Sequence, residues 1–189
     1  MPINHFNIIA GLYDRVEPFR ATEPLLGLLS LSAGNLLLDV GGGTGRVAAA
    51  LRGLVKKVYV VDISSGMLRR AAAKGLTTVF APAESLPFPS GSFDRIIMVD
   101  ALHHVVDQRQ TAQELWRILA PGGRILIVEP DIRKAYVKVI ALGEKLLLMR
   151  SHFLTEKKIS SLFTAKNGKV DAVFDEFNIF YALEKVMQM

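Results

Sequence analysis

Short apolar runs alternate with helical patterns through much of the chain, and this alternation limits the possible folds more than any other feature. Five runs have the length and composition of buried strands. They are Leu36–Val40, Val58–Val61, Thr77–Phe80, Phe93–Val99 and Arg124–Glu129. Because apolar strands that are separated by helices pair in parallel and are covered on both faces, the pattern predicts a doubly wound α/β sandwich.

The segments between these runs carry helical signals. One helix is predicted over Arg46–Arg52 and another over Ser65–Lys74. Asp107 is a suitable N-cap for a third helix that runs through Leu119, and Pro121-Gly122-Gly123 is expected to end it. Each helix then returns the chain to the sheet in a right-handed crossover.

Both ends of the chain depart from this rhythm. Residues 4–30 predict two helices before the first strand, and two more helices are expected near Lys134–Arg150 and Thr155–Thr164. The last two strands, Val170–Phe174 and Phe177–Val186, are joined by so short a link that they must form an antiparallel hairpin. The expected sheet therefore has seven strands, mostly parallel, with a C-terminal antiparallel hairpin.

Composition excludes several classes of function. The 189 residues carry 23 Lys and Arg against 18 Asp and Glu, a net charge of +5, and they include no cysteine. Like charges form no block, so a dedicated nucleic-acid arm is not expected, although the surface can attract anions. The absence of cysteine excludes disulfides, Cys-ligated zinc and thiolate nucleophiles, and it fits the cytoplasmic location that we expect.

Other kinds of segment and site are also not expected. No apolar run reaches the roughly 18–20 residues of a membrane span. The N-terminal residues lack the charged and then apolar pattern of a signal peptide. No set of His, Asp and Glu has metal-ligand spacing, so no metal site is predicted.

A glycine-rich turn joins the first strand to the helix that follows it. The segment reads Asp39-Val40-Gly41-Gly42-Gly43-Thr44-Gly45. Glycine allows a ligand to approach the backbone closely, and the following helix offers unpaired N–H groups. Asp62 ends the second strand, where its carboxylate can accept hydrogen bonds from both ribose hydroxyls. The turn and Asp62 together indicate a nucleoside-type cofactor at the carboxyl edge of the sheet.

The spacing of the glycines argues against a dinucleotide. Arg46 stands where the third glycine of G-x-G-x-x-G would be, and the P-loop pattern G-x-x-x-x-G-K-[ST] is absent. Asp39 directly precedes the turn, where it would repel a pyrophosphate but would suit a ligand that carries an ammonium group. A nicotinamide-dependent dehydrogenase is therefore disfavoured.

Five segments resemble, in order, the motifs of the class I S-adenosylmethionine-dependent methyltransferases. They are Leu38–Gly45, Val60–Leu68, Ala83–Phe88 with Ser92–Asp94, Ala101–Val105 and Leu115–Arg124. The resemblance covers residues 36–130 and is strongest to the small-molecule subgroup, methyltransferase type 11, that includes the ubiquinone/menaquinone-biosynthesis enzymes. Residues Phe6–Arg15 also resemble the N-terminal helix of that subgroup. The resemblance implies a Rossmann-like fold, S-adenosyl-L-methionine as cofactor and S-adenosyl-L-homocysteine as product.

The resemblance also implies the residues that bind this cofactor. Asp39 would anchor the ammonium group and Asp62 the ribose. Ile63 and Met67 would enclose the adenine, and the Ala83 backbone N–H would meet the adenine edge. The other cofactor-binding residues implied by the motifs are Gly41, Gly42, Gly43, Gly45, Glu84 and Ala101.

One position departs from the family pattern. The family often has an acidic residue before the Ala-Glu pair, where it receives the adenine amino group, and this chain has Pro82 there. Proline has no N–H donor and no side-chain acceptor. Adenine recognition must therefore depend on Ala83, on Glu84 or on water.

His103 is the candidate catalytic residue, because it follows the fourth strand and imidazole titrates in the range that suits proton removal. Its family position faces the substrate cleft. The neighbouring His104 is expected to pack structurally at the start of a helix. Tyr13, Glu129 and Tyr136 complete the expected substrate pocket.

The segment Tyr136–Met149 is apolar on more than one helical face, so it must bury itself against something. It is open to three interpretations: a lid over an apolar substrate, a subunit interface or ordinary core. In related small-molecule methyltransferases this region shapes the acceptor pocket, which favours the lid.

The sequence thus predicts a methyltransferase that acts on a small, apolar or aromatic molecule. RNA or protein methylation and a non-catalytic S-adenosylmethionine-binding protein are the alternatives. One domain is expected, with a helical cap over residues 1–33, a cofactor-binding core over 34–130, and substrate-pocket helices with the hairpin over 131–189. The expected partner is a small-molecule methyl acceptor, and the expected state is a monomer or a homodimer.

Overall fold

The computed structural model describes residues 23–131, 155–164, 168–175 and 178–186 of the chain. The strands in these ranges are β1 Leu36–Val40, β2 Lys57–Asp62, β3 Thr77–Phe80, β4 Phe93–Val99, β5 Leu119–Pro130, β6 Gly168–Phe174 and β7 Asn178–Lys185. The α-helices are α1 Glu23–Leu29, α2 Arg46–Leu51, α3 Ser65–Ala73, α4 Gln108–Ile118 and α5 Glu156–Thr164. Two 3₁₀ turns occupy Arg52–Leu54 and Leu102–His104.

The strands form one seven-stranded sheet in the order β3-β2-β1-β4-β5-β7-β6. The five strands from β3 to β5 pair in parallel. β7 pairs antiparallel with both β5 and β6, which gives the hairpin at the C-terminal edge. The predicted fold class, a mostly parallel doubly wound sandwich with an antiparallel C-terminal hairpin, is confirmed.

Local signals in the sequence locate most of the elements. Asp107 caps α4 as predicted, since its Oδ1 accepts a hydrogen bond from the Gln110 N–H at 2.9 Å. Ser64 caps α3 in the same way, with its Oγ 3.2 Å from the Met67 nitrogen. The predicted strands at Thr77–Phe80 and Phe93–Val99 have the predicted bounds.

The start of β5 differs from the prediction. Pro121-Gly122-Gly123 does not end α4: the helix ends at Ile118, and β5 begins at Leu119. Leu119 is fully buried and pairs with Phe93, while the regular register resumes only at Arg124. Burial of a leucine stabilises a fold by about 1.5–3 kcal/mol, so Leu119 leaves the helix and joins the sheet.

The ends of the chain are described in part. α1 falls within the region where two helices are predicted, and residues 1–22 lie outside the described residues. The helix predicted at Thr155–Thr164 is α5. The helix predicted near Lys134–Arg150 lies outside the described residues, so all three interpretations of Tyr136–Met149 stay predictions.

The two faces of the sheet are covered by different helices, and alternation along β1 decides what each face receives. Leu38 and Val40 pack in the cluster that includes α4 and α5. Leu37 packs in the cluster that includes α1, α2 and α3. Asp39 therefore points to the same side as α2, and its carboxylate contacts the Ala48 N–H of that helix.

Two expectations about the whole chain stay predictions. The division into a single domain with cap, core and C-terminal part is one, and the cytoplasmic location is the other. In the ranges that the structure describes, no helix has the length and apolar character needed to cross a membrane.

Candidate functional site

A pocket opens at the carboxyl ends of the central strands. β1 lies between β2 and β4, and the chain winds outward through β2 and β3 before it crosses to β4. Ligands of doubly wound sheets bind in the crevice at this reversal. The pocket is lined by residues from the strand ends and the following loops, among them Asp39, Gly43, Asp62, Ala83, Asp100 and His104.

Asp39 is buried at the base of the pocket, with 1% of its surface exposed. Its Oδ2 accepts a hydrogen bond from the Ala48 N–H at 3.2 Å, whereas its Oδ1 has no hydrogen-bond partner among the described residues. Burial, with a smaller contribution from the nearby Asp62, raises the pKa of Asp39 from 3.8 to about 7. The Ala48 N–H and the charge of Arg46 act in the opposite direction. A cationic donor at Oδ1 would supply the missing partner.

The glycine turn leaves open backbone beside this carboxylate. A Cβ on Gly42 would lie 2.6 Å from the Asp39 Cγ, so no side chain fits there. Gly43 has a φ of +54°, and a Cβ on it would meet nothing closer than the Met67 Sδ at 3.9 Å and the Asp62 Oδ2 at 4.0 Å. The space in front of Gly43 is therefore available to a ligand.

The other two glycines of the motif pack against protein. Gly41 has a φ of +68°, and a Cβ on it would lie 2.6 Å from the Cβ of Ala101. Gly45 is the N-cap of α2 and backs onto Leu76. Gly41 and Ala101 thus bring the turn after β1 into close contact with the end of β4, and both line the pocket.

Asp62 ends β2 and holds the turn in place. Its Oδ2 accepts a hydrogen bond from the Gly43 N–H at 2.9 Å, and its Oδ1 accepts one from the Ser64 N–H at 2.7 Å. Burial raises the pKa of Asp62, although these hydrogen bonds act to lower it. Each carboxylate oxygen can accept more than one hydrogen bond, so the side chain can still bind hydroxyl groups of a ligand.

The residues expected around the adenine lie along one side of the pocket. Ile63, Met67, Pro82 and Ala83 all belong to its lining. Ile63 is 53% exposed, which is unusual for an isoleucine and is what a side chain that covers a ligand would show. Met67 is buried. Their adenine-binding roles stay predictions.

Glu84 also lines the pocket, but its carboxylate already binds backbone. Its Oε1 accepts hydrogen bonds from the Val106 N–H at 2.8 Å and from the Asp107 N–H at 3.2 Å. The side chain therefore fixes the loop before α4. Its predicted contact with the cofactor stays a prediction, and it would use acceptor positions of the carboxylate that these two N–H groups do not occupy.

Two charged residues of the pocket were not singled out by the sequence as binding groups. Arg46 and Asp100 both line it, and the Arg46 Nη2 is 3.9 Å from the Asp100 Oδ2. Asp100 has a φ of +51° and follows β4 at the pocket. Its position directly after a parallel strand was the available signal, because such strand ends meet at one edge.

The two adjacent histidines have different surroundings. His103 is 3% exposed, and its Nδ1 is 2.6 Å from the Oε2 of Glu129. Neither His103 nor Glu129 is among the described residues that line the pocket. His104, which was expected to pack structurally, does line it. Burial, with a smaller contribution from His103, lowers the pKa of His104 to about 3.

Two of the expected substrate-pocket residues, Tyr13 and Tyr136, lie outside the described residues. Across the described ranges, no three His, Asp or Glu side chains come together in a way that could hold a metal ion. The assignment of His103 as catalytic and of Glu129 as a pocket residue stays a prediction.

The described residues fit a cofactor that joins an ammonium group to a nucleoside. The unpaired Oδ1 of Asp39 suits the cation. Asp62 can accept hydrogen bonds from the ribose, and the space at Gly43 lies next to it. S-Adenosyl-L-methionine has this combination of groups.

Known proteins that are similar in sequence to this chain are methyltransferases, in agreement with the cofactor that fits the site. The methyltransferase-domain family matches residues 38–127. The demethylmenaquinone methyltransferase of Clavibacter sepedonicus is 38% identical over 133 residues, which are 65% of this chain and 51% of that protein. The ubiquinone/menaquinone biosynthesis C-methyltransferase UbiE of Hahella chejuensis is 36% identical over 121 residues, which are 55% of this chain and 49% of that protein. The chain thus spans about half the length of these relatives.

A solved structure with the same fold comes from Haloferax volcanii. It is a putative methyltransferase in complex with the Trm112 methyltransferase activator, and it superimposes with a TM-score of 0.82 at 17% identity. The match covers 99% of this chain and 100% of that one. At this identity the likeness shows the fold alone. The motifs, the sheet order, the pocket and these matches show that residues 38–127 form a methyltransferase domain of the class I S-adenosyl-L-methionine-dependent family, similar in sequence to the UbiE enzymes.

Proposed function

We propose that this chain transfers a methyl group from S-adenosyl-L-methionine to a small, apolar or aromatic molecule. The observation that carries the proposal is the Oδ1 of Asp39, which is buried without a hydrogen-bond partner among the described residues of the pocket. An acidic group in this place would repel the pyrophosphate of a dinucleotide. It suits the ammonium group of an amino-acid-bearing nucleoside.

Alignment is the main task of the protein in such a reaction. When bound, the cofactor supplies a methyl group that its sulfonium sulfur has already activated. Holding two reactants in the right geometry can contribute about 7–11 kcal/mol to the lowering of a barrier. Asp39 would hold the ammonium group and Asp62 the ribose, which leaves the end of β4 to receive the acceptor.

The described part of the pocket beyond these residues favours an acceptor with an apolar body. Val99, Ala101, Val105 and Val106 line it, beside the uncharged ring of His104. The named relatives act in demethylmenaquinone, ubiquinone and menaquinone chemistry. We therefore take a reduced quinone ring as the first acceptor to test, and methylation at carbon as the first reaction.

RNA methylation, protein methylation and cofactor binding without catalysis are the competing functions. The segment Asp100-Ala101-Leu102-His103 lacks the Asn/Asp-Pro-Pro-aromatic pattern with which adenine-amino methyltransferases stack a base. The small-molecule acceptor therefore has more support. The monomeric or homodimeric state is likewise proposed and is read from the elution volume of the purified chain.

A methyl-transfer screen tests the proposal. The protein is incubated with methyl-labelled S-adenosyl-L-methionine and, in separate reactions, with reduced quinones, small-molecule extract, total RNA or total protein. We expect label in the organic-extractable product. Label only in the RNA or protein fraction would contradict the proposed acceptor class.

A thermal-shift assay tests the cofactor separately. A ligand at 100 times its Kd stabilises a protein by roughly 2.7 kcal/mol. We expect a shift with S-adenosyl-L-homocysteine, none with NAD, and none with either in Asp62→Ala. A shift with no methyl transfer to any fraction would favour the non-catalytic binder.

A further inference from the structure

Glu129, the residue before the end of β5, binds two successive residues of the turn that follows β4. Its Oε1 accepts a hydrogen bond from the Leu102 N–H at 2.9 Å, and its Oε2 is 2.6 Å from the His103 Nδ1. The side chains of His103 and Glu129 are only 3% and 7% exposed. One buried carboxyl group from a neighbouring strand therefore fixes the backbone and a side chain of the same 3₁₀ turn.

The contact also determines the tautomer of His103. A carboxylate can only accept hydrogen bonds, so the His103 Nδ1 must carry the hydrogen. Because the Leu102 N–H is bound to the other oxygen of Glu129, the carboxyl group is held at both ends. The ring of His103 is thus fixed in place and in protonation at Nδ1.

His104 is the next residue of this turn, and it lies on the pocket side. A 3₁₀ turn has about three residues per turn, so successive side chains point roughly 120° apart. The turn that buries His103 against Glu129 therefore directs His104 elsewhere. The two imidazole rings are 4.0 Å apart between centroids, at 50° to each other. The fixed ring of His103 limits where the ring of His104 can lie.

We propose that His104 faces the methyl acceptor and that Glu129, acting through His103, is a positioning residue that holds His104 there. This inference rests on the proposed function and names a residue for the acceptor side of the same site. The low pKa of His104, about 3, keeps its ring uncharged near neutral pH. His104 therefore contributes a flat wall and a hydrogen bond to an uncharged or hydroxylated ring, rather than a charge.

Steady-state methyl transfer to 1,4-dihydroxynaphthalene, kept reduced, is the first test. His104→Ala should lower kcat/KM by about 10–100-fold, mainly through KM, because it removes contacts with the acceptor. Glu129→Gln should lower it by about tenfold. The affinity for S-adenosyl-L-homocysteine should stay within about twofold of the original in both variants, because neither residue is assigned to the cofactor.

Glu184→Gln is the matched control. Glu184 also accepts a hydrogen bond from a neighbouring strand, with its Oε2 3.0 Å from the Arg124 Nη2, but it is not among the described residues of the pocket. It should leave kcat/KM unchanged. An equal loss in Glu184→Gln and Glu129→Gln would overturn the positioning role, since the loss of any such glutamate carboxylate would then have the same effect.

The ¹⁵N chemical shifts of the imidazole nitrogens show which nitrogen of His103 carries the hydrogen. They would not change if Glu129 had a merely structural role. In Glu129→Gln, the Leu102 N–H keeps the amide oxygen on its side, so the amide NH₂ faces the His103 Nδ1. The hydrogen of His103 should then move to Nε2, together with the loss in kcat/KM. A changed tautomer with unchanged kcat/KM would overturn the role of Glu129.

A titration with menadione separates this inference from the proposed function. The chain contains no cysteine, so the quinone cannot add to a thiol. Failure of the wild-type protein to methylate the naphthalene diol would count against the proposed acceptor. A saturable shift of the His104 ring signals would still support its placement. His104 signals that do not move at saturating menadione, or an unchanged kcat/KM in His104→Ala, would overturn the placement of His104 at the acceptor. Both results can be obtained even if the Glu129→Gln variant does not fold.

Discussion

Asp39 and Asp62 flank the same glycine turn, but their surroundings differ. Asp62 accepts hydrogen bonds from the N–H groups of Gly43 and Ser64, whereas Asp39 accepts one from Ala48 and keeps a buried oxygen without a partner among the described residues. Burial raises the pKa of both carboxyl groups, and that of Asp39 reaches about 7. The protonation of Asp39 is therefore coupled to ligand binding near neutral pH.

The affinity for S-adenosyl-L-homocysteine should fall as the pH falls below 7. Asp39 must lose its proton to pair with the ammonium group, so affinity should drop by up to about tenfold per pH unit. Calorimetric titration between pH 5.5 and 8.5 measures this dependence. Asp39→Asn should remove it, and 5′-methylthioadenosine, which lacks the ammonium group, should not show it. A pH-independent affinity for S-adenosyl-L-homocysteine would contradict the assignment of Asp39.

The carboxyl group of Asp39 should also lower the free energy of unfolding of the ligand-free protein at high pH. A carboxyl group with a raised pKa stabilises the fold in its protonated form, so stability is lost as the pH rises from about 4 through 7. Asp39→Asn should therefore raise Tm at pH 8, by about 2–4 °C for each kcal/mol recovered, and by less at pH 5. Thermal unfolding without ligand at both pH values measures this. A lower Tm at pH 8 would count against it.

Single residues of the site differ in how far the sequence could identify them. The motif order located Asp39 and Asp62, because each lies at or near the end of an apolar run that predicts a strand. It favoured His103 over His104 for the acceptor side, whereas His104 lines the pocket and His103 lies against Glu129. Their directions depend on the contact between His103 and Glu129, which lies on another strand. The sequence used Arg46 only as evidence against a dinucleotide-binding motif, and no local signal showed that Arg46 lines the pocket.

At the scale of elements, the turn from β1 to α2 determines the shape of the pocket floor. The bounds of this unit were predictable to about one residue, since an apolar run and a glycine cluster are local signals. The start of β5 was not predictable in this way. Leu119 joins the sheet by pairing with Phe93 of another strand, and that pairing is a tertiary contact.

Gly42→Ala should damage the floor of the pocket. Its Cβ would lie 2.6 Å from the Asp39 Cγ and 2.9 Å from the Val60 Cγ1, so both side chains would have to move. We expect a destabilisation of about 1–3 kcal/mol and weaker binding of S-adenosyl-L-homocysteine. Denaturant unfolding and calorimetry measure the two effects.

Gly27→Ala is the matched control for this substitution. Gly27 lies in α1, and a Cβ there would meet nothing within 4 Å. It should leave binding unchanged and stabilise the helix by up to about 1 kcal/mol. Equal effects of the two substitutions would show that the close contact at Gly42 has no energetic consequence.

At the scale of the whole molecule, β7 near the C-terminus is hydrogen-bonded to elements from the middle of the chain. β7 lies between β5 and β6, so it connects β6 to the rest of the sheet. Lys185, the last residue of β7, donates hydrogen bonds to the carbonyl oxygens of Trp116 at 2.9 Å and Leu119 at 2.7 Å. These carbonyls belong to the end of α4 and the start of β5, where a cation also offsets the negative end of the helix.

Lys185→Met should therefore destabilise the whole fold. It keeps most of the side-chain stem but removes both charge-assisted hydrogen bonds, at a cost of about 1–3 kcal/mol. Urea unfolding measures the loss. Lys157→Met, at an exposed position of α5, should have little effect. A loss confined to Lys157→Met would contradict the role given to Lys185.

The close approach of Gly41 and Ala101 limits how this site can evolve. Two strand ends, from β1 and β4, meet there with room for one methyl group, since a Cβ on Gly41 would lie 2.6 Å from the Cβ of Ala101. A larger residue at position 101 would force the glycine turn away from its ligand. Homologues that keep the turn should therefore have only small residues at this place. A bulky residue at position 101 could not be relieved at position 41, which already has no side chain, so any lineage that carries one should also have a displaced or altered glycine turn.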